Sequence, residues 1–287
     1  MNVYDITNRQ FRNLKKYDIP SISTECELYI INNYYKWIKE QSLFKKFFIT
    51  EGEYFSNKLY TINTLINNKN DINIPELIFP NFLISIDRQI SGFAMPFVQN
   101  SINYAQVLNT NSLNMEVRIN ILKKIHSILN KVHSYPNFYI TDIHEANFLI
   151  DVKAGTVRVG DLDSCKIGNN NAFPAKYLHT NRNIINLPHK YILNKNGIYT
   201  PSLNTEIFCF IIMILNTISG ININNLNIEQ FYDYITYLDS IGLDKELVKT
   251  FGNIYTGKDN YIEDGILDYI PKHYKSLYNI YKYDKTH

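Results

Sequence analysis

Three polar side chains in one short stretch have the types and the spacing to do chemistry. In FYITDIHEANFLIDVKAGTVRVGDLDSCKIG, Phe138 to Gly168, Asp142 and Asn147 stand five residues apart. They are followed by the apolar run Phe148-Leu149-Ile150, a turn around Lys153-Ala154-Gly155, and a strand from Thr156 to Val159 that leads to Asp161. The pattern predicts two short strands bracketing a loop, so that two carboxylates and an amide converge on one cleft. A hydroxyl that attacks a γ-phosphoryl group needs a positioned carboxylate to orient it and take its proton. A triphosphate needs hard oxygen ligands around Mg²⁺. Asp142 suits the first task, and Asn147 with Asp161 suits the second. The competing reading is a plain β-hairpin with Asp and Asn in its turns, where both are common. A hairpin has no need of a fixed interval between all three groups.

The stretch resembles the catalytic and metal-binding loops of the protein-kinase-like superfamily, closer to the bacterial, aminoglycoside-phosphotransferase-like members than to typical eukaryotic kinases. In those relatives the loop reads G-D-L-H-P-x-N, and Asp142-Ile143-His144-Glu145-Ala146-Asn147 matches it at the Asp, the His and the Asn. Glu145 stands where proline is usual. Asp161-Leu162-Asp163 takes the place of D-F-G and, with Ser164, resembles the I-D-x-D-S variants of some bacterial kinase-like proteins. The resemblance implies ATP as phosphoryl donor, Asp142 as catalytic base, and Asn147 and Asp161 as Mg²⁺ ligands. Loss of the D-F-G glycine implies a stiffer start to the activation segment.

The elements that must position these groups are sought upstream. Glu27 to Lys39, ELYIINNYYKWIK, reads as a hairpin turning at Asn32-Asn33. Under the resemblance this hairpin carries the phosphate-pairing lysine. Lys36, flanked by apolar residues, is the preferred candidate, with Lys45 and Lys46 as competitors; a lysine in an aromatic strand is also commonly a snorkelling edge residue. The glycine-rich phosphate loop is missing, and Ser21 to Cys26 stands in its place. From about Gly52 to Asn67 the apolar spacing of Phe55, Leu59, Ile62 and Ile66 predicts a helix equivalent to αC. Under the resemblance this helix supplies a glutamate to pair the strand lysine; Glu53 is the candidate, more than a turn before the place where register puts Lys58. Leu77 to Val98 reads as two strands joined at Asp87-Arg88-Gln89. The following G-F-x-M-P segment resembles an adenine-binding hinge, with Met95 and Phe97 as nucleotide contacts; an edge strand ended by proline is the alternative.

Downstream, Glu116 to His133 shows one apolar stripe and predicts an amphipathic helix leading into the catalytic loop. His126 and His133, seven apart on it, read as structural histidines rather than zinc ligands. Gly168 onward reads as an irregular activation segment. Thr205 to Ser219 is apolar almost all round and reads as a buried central helix, with Glu206 where that helix often carries an anchoring Asp. IEQFYDYITYL and DKELVKTFGNIY continue the helical pattern.

Composition bounds the rest. The 287 residues are 45% hydrophobic and 20% charged with net charge +2, which suits a globular chain and gives no basis for nucleic acid or an anionic membrane as principal partner. Cys26, Cys165 and Cys209 form no C-x-x-C pair, and no run is long enough to span a bilayer, so a reducing cytoplasm is expected. The expected fold is α+β and bilobal, protein-kinase-like, with a small antiparallel-sheet N-lobe over 1–98 and a mainly helical C-lobe over 99–287. The expected function is ATP- and Mg²⁺-dependent transfer of the γ-phosphoryl group to a hydroxyl by a protein Ser/Thr kinase-like enzyme. A pseudokinase that binds nucleotide or scaffolds, and a small-molecule kinase, are the alternatives. Thr141, in place of an arginine before the catalytic Asp, implies activity without activation-segment phosphorylation.

Overall fold

The computed structural model describes residues 3–17, 25–31, 41–109, 113–169, 201–219, 223, 226, 228–240, 243–255, 258 and 265–270. Among them the protein is mixed α+β, with a six-stranded, mostly antiparallel sheet and seven α-helices.

The first part of the chain gives β1 (Val3–Ile6), α1 (Asn8–Arg12), β2 (Lys15–Lys16), β3 (Cys26–Ile31), β4 (Ser42–Phe47), α2 (Gly52–Ile72), β5 (Phe82–Ile86) and β6 (Gln89–Pro96). Their order in the sheet is β1-β5-β6-β4-β3-β2, with β1 parallel to β5 and every other pair antiparallel. Alternation along the strands sends side chains to two faces. One face packs Phe44, Phe82, Ile84 and Ala94 with Phe11 of α1. The other packs Phe47, Leu83 and Phe93 under Phe55 and Ile62 of α2. Consecutive residues of β4 therefore part company: Lys46 lies over the Phe11 ring, and Lys45 lies near the Phe47 and Phe93 rings on the α2 side. At Gly92, opposite Lys46, an added Cβ would overlap the Lys45 carbonyl oxygen, so the close approach of β6 to β4 depends on that glycine.

Several boundaries differ from the expectation. Ile31 pairs with Ser42 in the β3–β4 ladder; the second arm of the expected hairpin, with its Asn32-Asn33 turn and Lys36, falls in residues 32–40, outside the described residues. Lys45 and Lys46 lie in β4, between the buried Leu43-Phe44 pair and Phe47. Helix α2 continues past Asn67 to Ile72 and ends on Asn73 in the left-handed conformation, which asparagine tolerates. Asp87 and Arg88 both have positive φ, the conformation of a two-residue turn between β5 and β6.

The second part comprises β7 (Ile102–Asn103), α3 (Tyr104–Leu108), α4 (Met115–His133), β8 (Phe138–Tyr139), β9 (Phe148–Asp151), β10 (Thr156–Val159) and β11 (Lys166–Ile167), then α5 (Leu203–Ser219), α6 (Ile228–Ser240) and α7 (Lys245–Tyr255). Short 3-10 turns cover Glu145–Asn147, Leu162–Ser164 and Ile266–Tyr269. Strands β10, β9 and β7 form one small sheet, and β11 pairs with β8. Helix α5 is buried along almost its whole length and centres the large core, which α4 closes with Ile121, Leu122, Ile125 and Leu129. That core also takes in Leu65 and Ile72 of α2 and residues Ile74, Leu77 and Phe79, all on the N-terminal side of Val98. Two backbone hydrogen bonds, Ile78 N–H to the Val159 carbonyl and Val159 N–H to the Glu76 carbonyl, each 2.9 Å, fasten this crossing segment to β10. No helix of the described residues is long and apolar enough to cross a membrane. The expected activation segment, 170–200, lies outside the described residues.

Candidate active site

The loop after β8 is held from both sides. Thr141 has φ 66°, unusual for a β-branched residue, and the Asp142 N–H donates 2.9 Å to the Ile140 carbonyl across it. Such a conformation persists only when its surroundings over-determine it. Here the Thr141 N–H donates to Glu206 Oε1 at 2.6 Å, and its Oγ1 donates to the Ser164 carbonyl at 2.8 Å. Glu206 is fully buried at the start of α5, and its second carboxylate oxygen pairs with His133 Nε2. His133 thus serves structure, and His126 stacks on Phe210 at 5.5 Å.

Asp142 is turned into place by its own loop. Asn147 Nδ2 donates to the Asp142 carbonyl at 2.8 Å and to Asp142 Oδ2 at 3.2 Å. The Ala146 N–H donates to His144 Nδ1, which leaves the ring proton on Nε2, 3.3 Å from Asp142 Oδ2. Glu145 is buried and accepts from Asn216 Nδ2 of α5 at 2.8 Å, which gives the loop a second anchor on the central helix. The β9–β10 hairpin then folds Asp161 back beside Asn147. Phe148 pairs with Val159, and the Gly160 N–H donates 2.8 Å to the Asn147 carbonyl.

Asp161 has φ 57° and ψ 38° and caps the Leu162–Ser164 turn. Its Oδ1 pairs with Lys45 Nζ, 116 residues away in sequence. Lys45 also binds Asp163 Oδ1 at 2.7 Å. The other oxygen of Asp163 accepts from Lys58 Nζ at 2.9 Å, and Lys58 further reaches Ser164 Oγ at 2.9 Å and Glu25 Oε2 at 3.2 Å. Asp163 is fully buried and Lys58 1% exposed, whereas Asp161 keeps 36% of its side chain open. Burial alone would raise the Asp163 carboxyl; Lys45 and Lys58 overcome it and hold the group well below the usual carboxylate range. Burial would likewise depress both ammonium groups, but Asp161 and Asp163 hold Lys45 above its ordinary value, and Asp163 does the same for Lys58. Burial drives Asp161 the other way, upward, with Lys45 opposing and Asp163 adding.

Of the residues singled out in the sequence, Asp142, Asn147 and Asp161 are brought into one array. Glu53 is not; it is exposed in the first turn of α2, and the partners of Lys45 are Asp161 and Asp163. Lys36 lies outside the described residues, and Lys45 is the strand lysine at the carboxylates. Met95 is half-buried in β6, opposite Leu43. The Phe97 N–H donates to the Gln41 carbonyl at 3.3 Å, and its ring meets Tyr17 edge to face at 5.4 Å, so the hinge donor expected there is engaged within the protein. Sequence reasoning missed Asp163 as the carboxylate for Lys45. A signal was present: Lys58 lies among the apolar positions of the expected helix, and a lysine buried there calls for a compensating acid elsewhere.

No known family model matches the chain, and no curated protein matches it.

Proposed function

We propose that the chain is an ATP- and Mg²⁺-dependent phosphotransferase of bilobal, protein-kinase-like architecture, transferring the γ-phosphoryl group to a hydroxyl. One observation carries the reading: a strand lysine, Lys45, reaches the carboxylate of Asp161 beside a loop in which Asn147 orients Asp142. Separate stretches of chain thus supply a cation for phosphates, hard oxygen donors and a base at one cleft. The order of elements supports it as well, with a sheet and α2 preceding a helix, the catalytic loop, a hairpin and a buried central helix.

The donor set fits Mg²⁺. Asp161 offers a partly open anionic oxygen, and the two donations of Asn147 Nδ2 to Asp142 leave its amide oxygen as the atom with ligand capacity. A bound ion would neutralise charge on the β- and γ-phosphates. Asp142 Oδ2, steadied by Asn147 and His144, would orient the acceptor hydroxyl and take its proton. Lys45 would pair the phosphates. Three buried free thiols, Cys26, Cys165 and Cys209, agree with a cytoplasmic setting.

The pseudokinase reading has its own observation: Lys45 is tied to both Asp161 and Asp163, and the Phe97 N–H is engaged. Incubation with γ-labelled ATP and Mg²⁺, followed by separation of protein-bound from small-molecule label, tests the proposal. Mg²⁺-dependent transfer that Asp161→Asn abolishes is expected. Binding of Mg-ATP without turnover across a broad acceptor panel would favour the pseudokinase, and no binding at all would sink the phosphotransferase and leave only a scaffold that holds no nucleotide.

A further inference from the structure

Two lysines share one buried aspartate beneath the cleft. Each oxygen of Asp163 carries one ammonium group: Oδ1 meets Lys45 at 2.7 Å and Oδ2 meets Lys58 at 2.9 Å. A buried carboxylate bound by a single lysine would be free to pivot with it. With Lys58 fixing one oxygen, and itself held by Ser164 and Glu25, the other oxygen has a set direction. Lys45 therefore has two unlike partners. Asp163 is sealed, while Asp161 remains 36% open and can leave when other ligands arrive. An ammonium has three donors, so one anchored on Asp163 still has donors for phosphate oxygens.

We infer that Lys58 is a positioning residue for the phosphate-binding part of the cleft, acting through Asp163. Helix α2 supplies a cation, and the D-x-D segment supplies the carboxylate that aims Lys45 at a nucleoside triphosphate. The inference rests on the nucleotide reading given above. It accounts for Lys58 at the helix position where an anion was expected, and for an aspartate at 163 where D-F-G has glycine. Moving the carboxylate from helix to segment requires the helix residue to change sign, because two buried carboxylates around one lysine would leave an uncompensated negative charge.

The test compares Mg-ATP with adenosine, which has no phosphates to reach Lys45, by calorimetric titration of the full chain. Lys58→Met should raise the Kd for Mg-ATP by about tenfold or more, since truncating one partner of a buried charge pair has effects of that size. Adenosine affinity should stay within about twofold, as expected for an independent site. Lys58→Arg, which keeps the charge, should recover most of the loss. Unchanged Mg-ATP affinity in Lys58→Met, or equal losses for ATP and adenosine, would overturn the inference while leaving the nucleotide reading intact. Failure of the wild-type protein to bind Mg-ATP would remove the nucleotide reading first. Should Lys58→Met not fold, the double variant Lys58→Glu with Asp163→Gly returns the single carboxylate to the helix. Mg-ATP binding by that folded variant, tighter than by Asp163→Gly alone, supports the inference, and no gain over Asp163→Gly overturns it.

Discussion

The two walls of the proposed catalytic cleft are built on different physics. The catalytic-loop wall, Ile140 to Asn147, is held chiefly by contacts of modest reach: Asn147 Nδ2 donates to Asp142, the Ala146 N–H donates to His144, and His144 Nε2 lies 3.3 Å from Asp142 Oδ2. Of its long-range ties, Glu206 to Thr141 and Asn216 to Glu145 come from one buried helix, and Thr141 Oγ1 donates to the Ser164 carbonyl. The lysine wall is an ion cluster in which Lys45 of a strand and Lys58 of a helix meet Asp161 and Asp163 of a turn more than a hundred residues further along the sequence. Hydrogen bonds between neighbours contribute about 1 kcal/mol each and can be lost singly. A buried ion cluster is all or nothing, because removing one member strands the charge of another. The catalytic wall should therefore tolerate substitution with its fold intact, and the lysine wall should not.

The largest effect on folding is expected at Asp163→Ala. It leaves Lys58 inside the protein without its buried carboxylate, and breaking such a pair is destabilising by about 3–5 kcal/mol. Urea unfolding followed by circular dichroism measures it; a loss below about 1 kcal/mol would mean that the cluster is solvated and the contrast between the walls is false. Next comes Glu206→Ala, which leaves the buried Thr141 N–H without its acceptor and His133 without its partner. A cost of about 1–3 kcal/mol is expected from the unsatisfied donor. With Thr141 free to relax from positive φ, turnover should fall more than nucleotide affinity, and an unchanged ratio of kcat to wild type would separate the anchor from the chemistry. The smallest effect on folding belongs to Asp142→Asn, within about 1 kcal/mol, since the amide preserves shape and acceptor capacity. Nucleotide affinity should hold while turnover drops by about 10²–10⁴-fold, the share attributed to a positioned general base. Parallel losses of ATP affinity and stability in this variant would place Asp142 in the structural frame instead.

How far each wall can be read from sequence follows the same division. Asp142, Asn147 and Asp161 fall within twenty residues, and a loop, hairpin and turn of roughly fixed length bring such an interval together with little freedom. The helices before and after them, α4 and α5, announce themselves by apolar periodicity, and their observed limits differ from the expected ones by one or two residues. The added strand β1, parallel to β5, left no such trace; four residues of mixed polarity become a strand only because an edge is available to pair. Glu145 was visible as a departure, but its role needed the position of Asn216 on another helix.

What the sequence by itself determined is therefore local: element types, the loop that turns Asp142 toward Asn147, and a helix that puts a lysine where an acid was expected. Which of the paired lysines meets Asp161 was decided by tertiary structure. Lys45 faces α2 and Lys46 faces α1 because β4 pairs in one register with β3 and β6, and a slip of a single residue would exchange them. The sign pattern around Lys45 was likewise settled only on folding. Lys58 and Asp163 are 105 residues apart, and their attraction counts for little until both leave water, where the lower effective dielectric makes the pairing strong and the absence of a partner costly.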